Sequence, residues 1–132
     1  MYPPLFSTLF ASTAVKAIFG SAPLRAYTFG NAPAKGAVGY ATPYVVFQTV
    51  GGSPENYLNQ APDLDQWNVQ IDVYADNTGA GGNGTTNARN GAQAIRNALE
   101  PVAYVVGWNG EFRDSETQLF RYSFDVSFQT PR

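Results

Sequence analysis

The run Gly79-Ala80-Gly81-Gly82-Asn83-Gly84 matches the pattern G-x-G-x-x-G. In a dinucleotide-binding turn the first glycine closes a tight turn directly off a strand. The second admits the pyrophosphate to the backbone, and the third lets helix and strand pack closely. Here Asp76, Asn77 and Thr78 stand between the preceding strand and the first glycine, and the chain lacks the repeated strand–helix–strand units of that fold. The stretch is so rich in glycine that a chance match is cheap. The same run fits a phosphate loop as far as Gly84, but Thr85 occupies the place of the lysine that would reach the β- and γ-phosphates. Residues 77–87 are therefore read as a flexible Gly/Asn-rich surface loop, and no cofactor is expected.

Carboxylates are the other candidates for chemistry. Asp63 and Asp65 form a D-x-D pair in a long connection, Asp72 and Asp76 lie toward a strand end, and Asp114 and Glu116 flank a turn. A calcium site needs several oxygens at ordered spacing with a bidentate acid, which D-x-D alone does not supply. Glycoside hydrolysis needs two carboxyls across a cleft. The bland reading of these acids is solvated loop charge. Histidine and cysteine are both absent. That removes Ser-His-Asp and Cys-His mechanisms, disulfides, and most zinc and iron sites. No catalytic or metal-binding residue is expected, and the chain is read as a non-enzyme. Asn83-Gly84-Thr85 is a glycosylation sequon by pattern, read as silent without a secretory signal.

The chain has 132 residues, enough for one domain over 1–132. Hydrophobic residues make up 44%, which is globular material, while charged residues are only 14%, well below the usual quarter. Neutral surface of that kind is often covered by a partner. The net charge is −2 and the eight Lys and Arg are scattered, so the clustered basic face of a nucleic-acid binder is missing. Residues 1–20 are apolar but lack a basic region ahead of the apolar stretch, and Lys16 interrupts it. With no apolar run of about 18 residues elsewhere, a soluble protein kept in a cytoplasm, with no membrane partner, is expected.

The elements that would position these residues follow from periodicity. Pro3 and Pro4 open a helix carrying Leu5, Phe6, Leu9 and Phe10; Ser12 or Thr13 caps a second short helix with Val15, Ile18 and Phe19, which Gly20 ends. Residues 24–29 read as a short strand, 30–42 as loop and 44–50 as strand. Trp67, Val69, Ile71 and Val73 alternate with Asn68, Gln70, Asp72 and Tyr74, a half-buried strand. The intervening residues 51–66 read as a long arm or loop. Ala88, Ala92, Ile95 and Leu99 share one helix face, capped from Thr85, Thr86 or Asn87 and stopped by Pro101. Residues 104–108 form a strand, Asn109-Gly110 signals a turn, and a last strand points Phe120, Tyr122, Phe124, Val126 and Phe128 one way. That row alone is worth roughly 7–15 kcal/mol of burial as an upper estimate. The expected fold class is α+β: a single, mostly antiparallel sheet of four to five strands with helices packed on one face.

Residues 48–58, QTVGGSPENYL, resemble the loop after the second strand in the siphophage tail terminator (tail completion) family. The ending RYSFDV at 121–126, the AVKA segment at 14–17, Leu24-Arg25, Ala32-Pro33, Pro43-Tyr44 and Leu99-Glu100-Pro101 follow the same plan over almost the whole chain. The resemblance implies a structural protein that forms a ring, commonly a hexamer, on the head-proximal end of the virion tail. There it stops tube polymerisation and offers a surface to neck or head-completion proteins. Implied partners are other copies of the chain, the tail tube protein and the neck protein; no specific nucleic acid is implied, although DNA passes through such a ring. The enlarged Gly-rich run departs from the family plan. Tyr57 and Leu58 are apolar anchors in the 51–66 arm, so Glu55, Asn56, Tyr57 and Leu58 are the candidate intersubunit contact. Other readings stay open: a head-completion or connector protein, a small carboxylate-based enzyme, or a nucleotide-binding module.

Overall fold

A computed structural model describes residues 2–57, 60–78 and 82–131, with side chains outside 53–64. Three helices, α1 (Leu5–Phe10), α2 (Thr13–Phe19) and α3 (Gly84–Leu99), pack on a sheet of five strands. The strands are β1 (Ala26–Thr28), β2 (Tyr44–Tyr57), β3 (Gln60–Ala75), β4 (Ala103–Arg113) and β5 (Phe120–Pro131), ordered β1-β2-β3-β5-β4.

The fold class is α+β as expected, but the sheet is mixed. β1 runs parallel to β2, pairing Ala26 with Val45 and Thr28 with Phe47, while the other three pairings are antiparallel. A parallel neighbour requires the chain to return to the end where it started, and residues 29–43 make that return.

Two further expectations are corrected. Residues 51–66 do not bridge two strands: the β2–β3 ladder continues through Gly51 opposite Asn68 and Glu55 opposite Leu64 to Tyr57 opposite Gln60. Bulges after Thr49 and Glu55 shift the register, and Gly51, Gly52 and Pro54 mask the alternation. β1 pairs no further along β2 than Phe47, so Pro54 lies on an edge strand, where a missing N–H is tolerated. Gly52, at φ +148°, is obligatory, because a Cβ there would come within 2.2 Å of the Gln66 carbonyl oxygen. The second correction concerns Asn109-Gly110. β4 runs through it with bulges between Val105 and Gly107 and between Trp108 and Gly110. The reversal comes later, where the Asp114 carboxylate accepts from the Glu116 N–H at 2.8 Å and the Thr117 N–H at 3.4 Å.

Helix ends follow capping chemistry. Ser12 Oγ accepts from the Val15 N–H at 3.2 Å, and Gly20 closes α2 at φ +87°. Leu5, Leu9, Val15 and Phe19 are buried, whereas Phe6 and Phe10 turn outward with their rings stacked 6.1 Å apart. α3 begins earlier than its spacing predicts, so the 77–87 loop gives up its last four residues to the helix. Asn83, not Thr85, Thr86 or Asn87, caps it by accepting from the Thr86 N–H at 3.2 Å. Gly84 suits the first helical position because the Phe120 ring packs on it; a Cβ would lie 2.0 Å from that ring.

The core lies between helices and sheet. Val69, Ile71 and Val73 on β3, Phe124, Val126 and Phe128 on β5, and Val45 on β2 face Phe19, Ala92, Ile95 and Leu99. Gly91 lets α3 approach: a Cβ there would meet the Phe19 ring at 2.8 Å and Val73 at 3.1 Å.

Candidate assembly surface

Three regions of the described surface could carry function: the helix-free face of the sheet, the outer hairpin, and the edge formed by β4 with α3. The helix-free face is a polar network. Arg121 Nη2 donates to Asp72 Oδ2 at 3.3 Å, and Gln70 Nε2 donates to the same carboxylate at 3.1 and 3.2 Å. Asn109 Nδ2 donates to Ser123 Oγ at 3.1 Å and Asp125 Oδ1 at 3.0 Å; Gln66 Nε2 donates to Ser127 Oγ at 3.1 Å. At one end Tyr44 stacks on Tyr74 at 5.0 Å and meets Tyr27 and Tyr40 edge-on, each at 6.2 Å. Burial, then the neighbouring Tyr74 and Tyr40, pushes the Tyr44 phenol up to about 12. Such a phenol stays protonated at neutral pH and donates or accepts hydrogen bonds rather than acting as a base.

Asp72, Asp76 and Asp114, three of the carboxylates that looked chemical, are occupied locally. Burial alone would raise the Asp76 carboxyl, but hydrogen bonds from the Thr78 hydroxyl and N–H and from Thr42 hold it below its usual range. Backbone N–H groups of Glu116 and Thr117 do the same for Asp114. Asp63 lies outside the described side chains. Among the described residues no group of three or more acids converges to hold a metal ion, and no helix is long and apolar enough to cross a membrane.

The glycine run is equally committed where it is described. Asn77 Oδ1 accepts the Gly84 N–H at 2.8 Å, and Asn83 takes the Thr86 N–H. Asn87 Nδ2 ties back to the carbonyls of Asp76 at 2.8 Å and Thr78 at 2.6 Å. Two of the N–H groups that a phosphate would need at this helix start are thus taken by side chains. Residues 79–81 lie outside the described residues.

Glu55, Asn56 and Tyr57 fall at the outer end of β2, Glu55 opposite Leu64 and Tyr57 opposite Gln60. Their side chains, and Leu58 altogether, lie outside the described residues. The sequence reading missed the opposite edge. β4 exposes about half the surface of Tyr104, Val106, Trp108 and Phe112, and Val102 just before it is similarly open. Residues 102–110 carry no charge to protect this edge, which has only its two bulges there. Its two bulges bring Val105, Trp108 and Glu111 to the helix side, beside Arg89 and Arg96 of α3. Arg89 forks onto Glu111 at 2.6 and 2.9 Å, and this contact holds the Glu111 carboxyl below its usual range. Spacings of three residues do not betray a shared strand face, so only the bulges could have disclosed this cleft.

No curated protein matches the chain in sequence. A chain of a solved structure described as the virion of a native gene transfer agent particle shares the fold with a TM-score of 0.71. It is 17% identical, and the likeness covers 97% of this chain and 92% of that one. The family model described as tail completion protein gp17 matches residues 3–130. With that match over nearly its full length, the chain belongs to the tail completion protein gp17 family and is a structural protein of the phage tail.

Proposed function

We propose that copies of this chain close into a ring, a hexamer by the family resemblance, that caps the head-proximal end of the tail tube. The ring stops tube polymerisation and presents a docking surface to a neck or head-completion protein. Family membership carries the reading, and the long uncovered β4 edge gives it a physical basis. A sheet with a free strand edge and exposed apolar side chains gains stability when another chain covers it. A stable contact needs about 800 Å² from each partner, and each subunit of a ring uses two different surfaces to provide it. A tube subunit that reaches the ring meets a surface that does not continue its own lattice, and growth ends. In this reading the outer hairpin, with Glu55, Asn56, Tyr57 and Leu58, makes the contact between neighbours. No step calls for a cofactor, a metal, turnover of a substrate or sequence-specific contact with DNA.

The decisive experiment is electron microscopy of particles made with and without the protein. Tails of uncontrolled length in its absence, and rings at one tail end in its presence, are expected. Normal tails in its absence would overturn the proposal, and binding to isolated heads but not to isolated tails would favour a head-completion role. Replacing Tyr57 and Leu58 with Ser should lower the assembled mass seen by light scattering while leaving the melting temperature unchanged.

A further inference from the structure

Charge is laid out along this chain in blocks. Residues 1–35 hold Lys16, Arg25 and Lys35 and no acid. Residues 36–88 hold Glu55, Asp63, Asp65, Asp72 and Asp76 and neither Lys nor Arg. Every remaining arginine comes after that. Asp72 is answered within the fold by Arg121 at 3.3 Å. Glu55, Asp63 and Asp65 belong to the outer β2–β3 hairpin, Glu55 opposite Leu64 and Asp65 opposite Pro54, and neither hairpin strand contains Lys or Arg.

At the far end of the strand order, α3 and β4 enclose a cleft of about 240 Å³ lined by Arg89, Gln93, Arg96, Trp108, Glu111 and Tyr122. Arg89 and Arg96 are two helical turns apart and so share a side of α3. The Arg96 guanidinium lies 5.4 Å from the Trp108 ring centroid, and Trp108 meets Tyr122 edge-on at 5.9 Å. Both arginines have partners, Glu111 for Arg89 and Glu100 for Arg96 at 3.0 Å, but their side chains remain 60% and 40% exposed. The single exposed contact of Arg96 with Glu100 contributes little, so an arriving carboxylate can share or replace that partner at small cost, while Arg89 adds its charge to the cleft with its fork onto Glu111 kept. Guanidinium forks suit carboxylates, and Arg and Trp are the residues that most often anchor interfaces. Arg25 and Lys16 are less suitable: Arg25 is bound to the carbonyls of Pro43 and Ile18, and Lys16 lies over the Phe10 ring.

We propose that the acidic outer β2–β3 hairpin of one copy docks into the Arg89–Arg96–Trp108 cleft of the next copy. The inference rests on the ring reading and names the surface that receives the hairpin. Hairpin and cleft are different patches toward opposite sides of one sheet, as a head-to-tail closed contact requires; the hairpin is acidic, and the cleft offers two partly exposed guanidiniums beside Glu111. The uncharged stretch of β4 beside the cleft would be covered by the same contact.

Charge exchange tests it. One variant carries Arg89→Glu and Arg96→Glu; the other carries Glu55→Lys, Asp63→Lys and Asp65→Lys. Each is first checked for a native circular dichroism spectrum and melting temperature, then followed by sedimentation and negative-stain imaging, alone and mixed in equal amounts. Each alone should lose self-association by about 100-fold, since facing like charges cost several kcal/mol, and the mixture should regain rings. Wild-type mass in both variants, or loss in both with no recovery on mixing, would sink the inference while leaving the ring intact. A wild-type protein that stays monomeric even with tail tubes present would instead sink the ring reading. If a variant fails to fold, the salt dependence of wild-type assembly decides: weakening as sodium chloride rises is expected, and indifference to salt overturns the docking.

Discussion

The two faces of the sheet are built on different terms. Toward the helices, β3 and β5 present Val69, Ile71, Val73, Phe124, Val126 and Phe128, all nearly inaccessible, and glycines at 84 and 91 let α3 come close. On the other side Gln70, Asp72, Arg121, Ser123, Asp125 and Asn109 bond to one another, with the tyrosine cluster at one end. The first face derives stability from apolar area removed from water, which does not titrate. The second holds a polar network at its centre, with Tyr104 and Phe112 of β4 half exposed beside it. One apolar, packed face and one polar face is a common solution for antiparallel strands such as β2 to β5.

The contrast can be broken by measurement. The largest effect belongs to the packed face: Phe124→Ala should cost about 3–5 kcal/mol of unfolding free energy in denaturant titration. A loss under about 1 kcal/mol would mean that Phe124 is not at the centre of the core. Gly84→Ala comes next, because its new methyl enters the Phe120 ring; about 1–3 kcal/mol is expected from overpacking, against a stabilisation if the helix start were open. Asn83→Ala removes the α3 cap and should cost about 1 kcal/mol, with Asn83→Asp largely retaining it. The open face gives the smallest effect, seen only in alkali. With its folded value raised to about 12 from an ordinary value of 10.0, the Tyr44 phenol loses its proton first in the unfolded chain. Stability should therefore fall as pH rises from about 10 toward 12 and be unaffected below that range. Melting curves of Tyr44→Phe should slope less steeply across that interval; identical slopes would show that other phenols, such as the also-raised Tyr74, dominate.

Much of the packed face could be read directly from sequence. The Phe120-to-Phe128 alternation and the Ala88, Ala92, Ile95, Leu99 spacing run uninterrupted, and Ala92, Ile95, Leu99, Phe124, Val126 and Phe128 meet in one core with Tyr122 packed against it. Reading failed where the backbone departs from its period. Gly51, Gly52 and Pro54 hid the outer hairpin, because each is a turn former in isolation and an edge or bulge residue in the ladder. Asn109-Gly110 read as a reversal for the same reason, although Gly110 at φ +116° sits at a bulge. The parallel pairing of β1 leaves no periodic trace, since it depends on the path of residues 29–43. The α3–β4 cleft was illegible because Arg89 and Glu111 are 22 positions apart, and nothing local links them. The family resemblance pointed to the hairpin contact instead, through residues whose side chains are not among those described.

The placement of the two tryptophans has a practical consequence. Trp67 ties its indole N–H to Thr130 Oγ1 at 2.8 Å and leans on Tyr2 at 5.0 Å, on the wing of the sheet that leads into the hairpin. Trp108 lies half open on the opposite wing with a guanidinium over its ring. The molecule thus carries two tryptophan fluorophores, one per wing. Single-tryptophan versions could report separately, by emission colour and iodide quenching and without any added dye, which wing is covered as particles assemble.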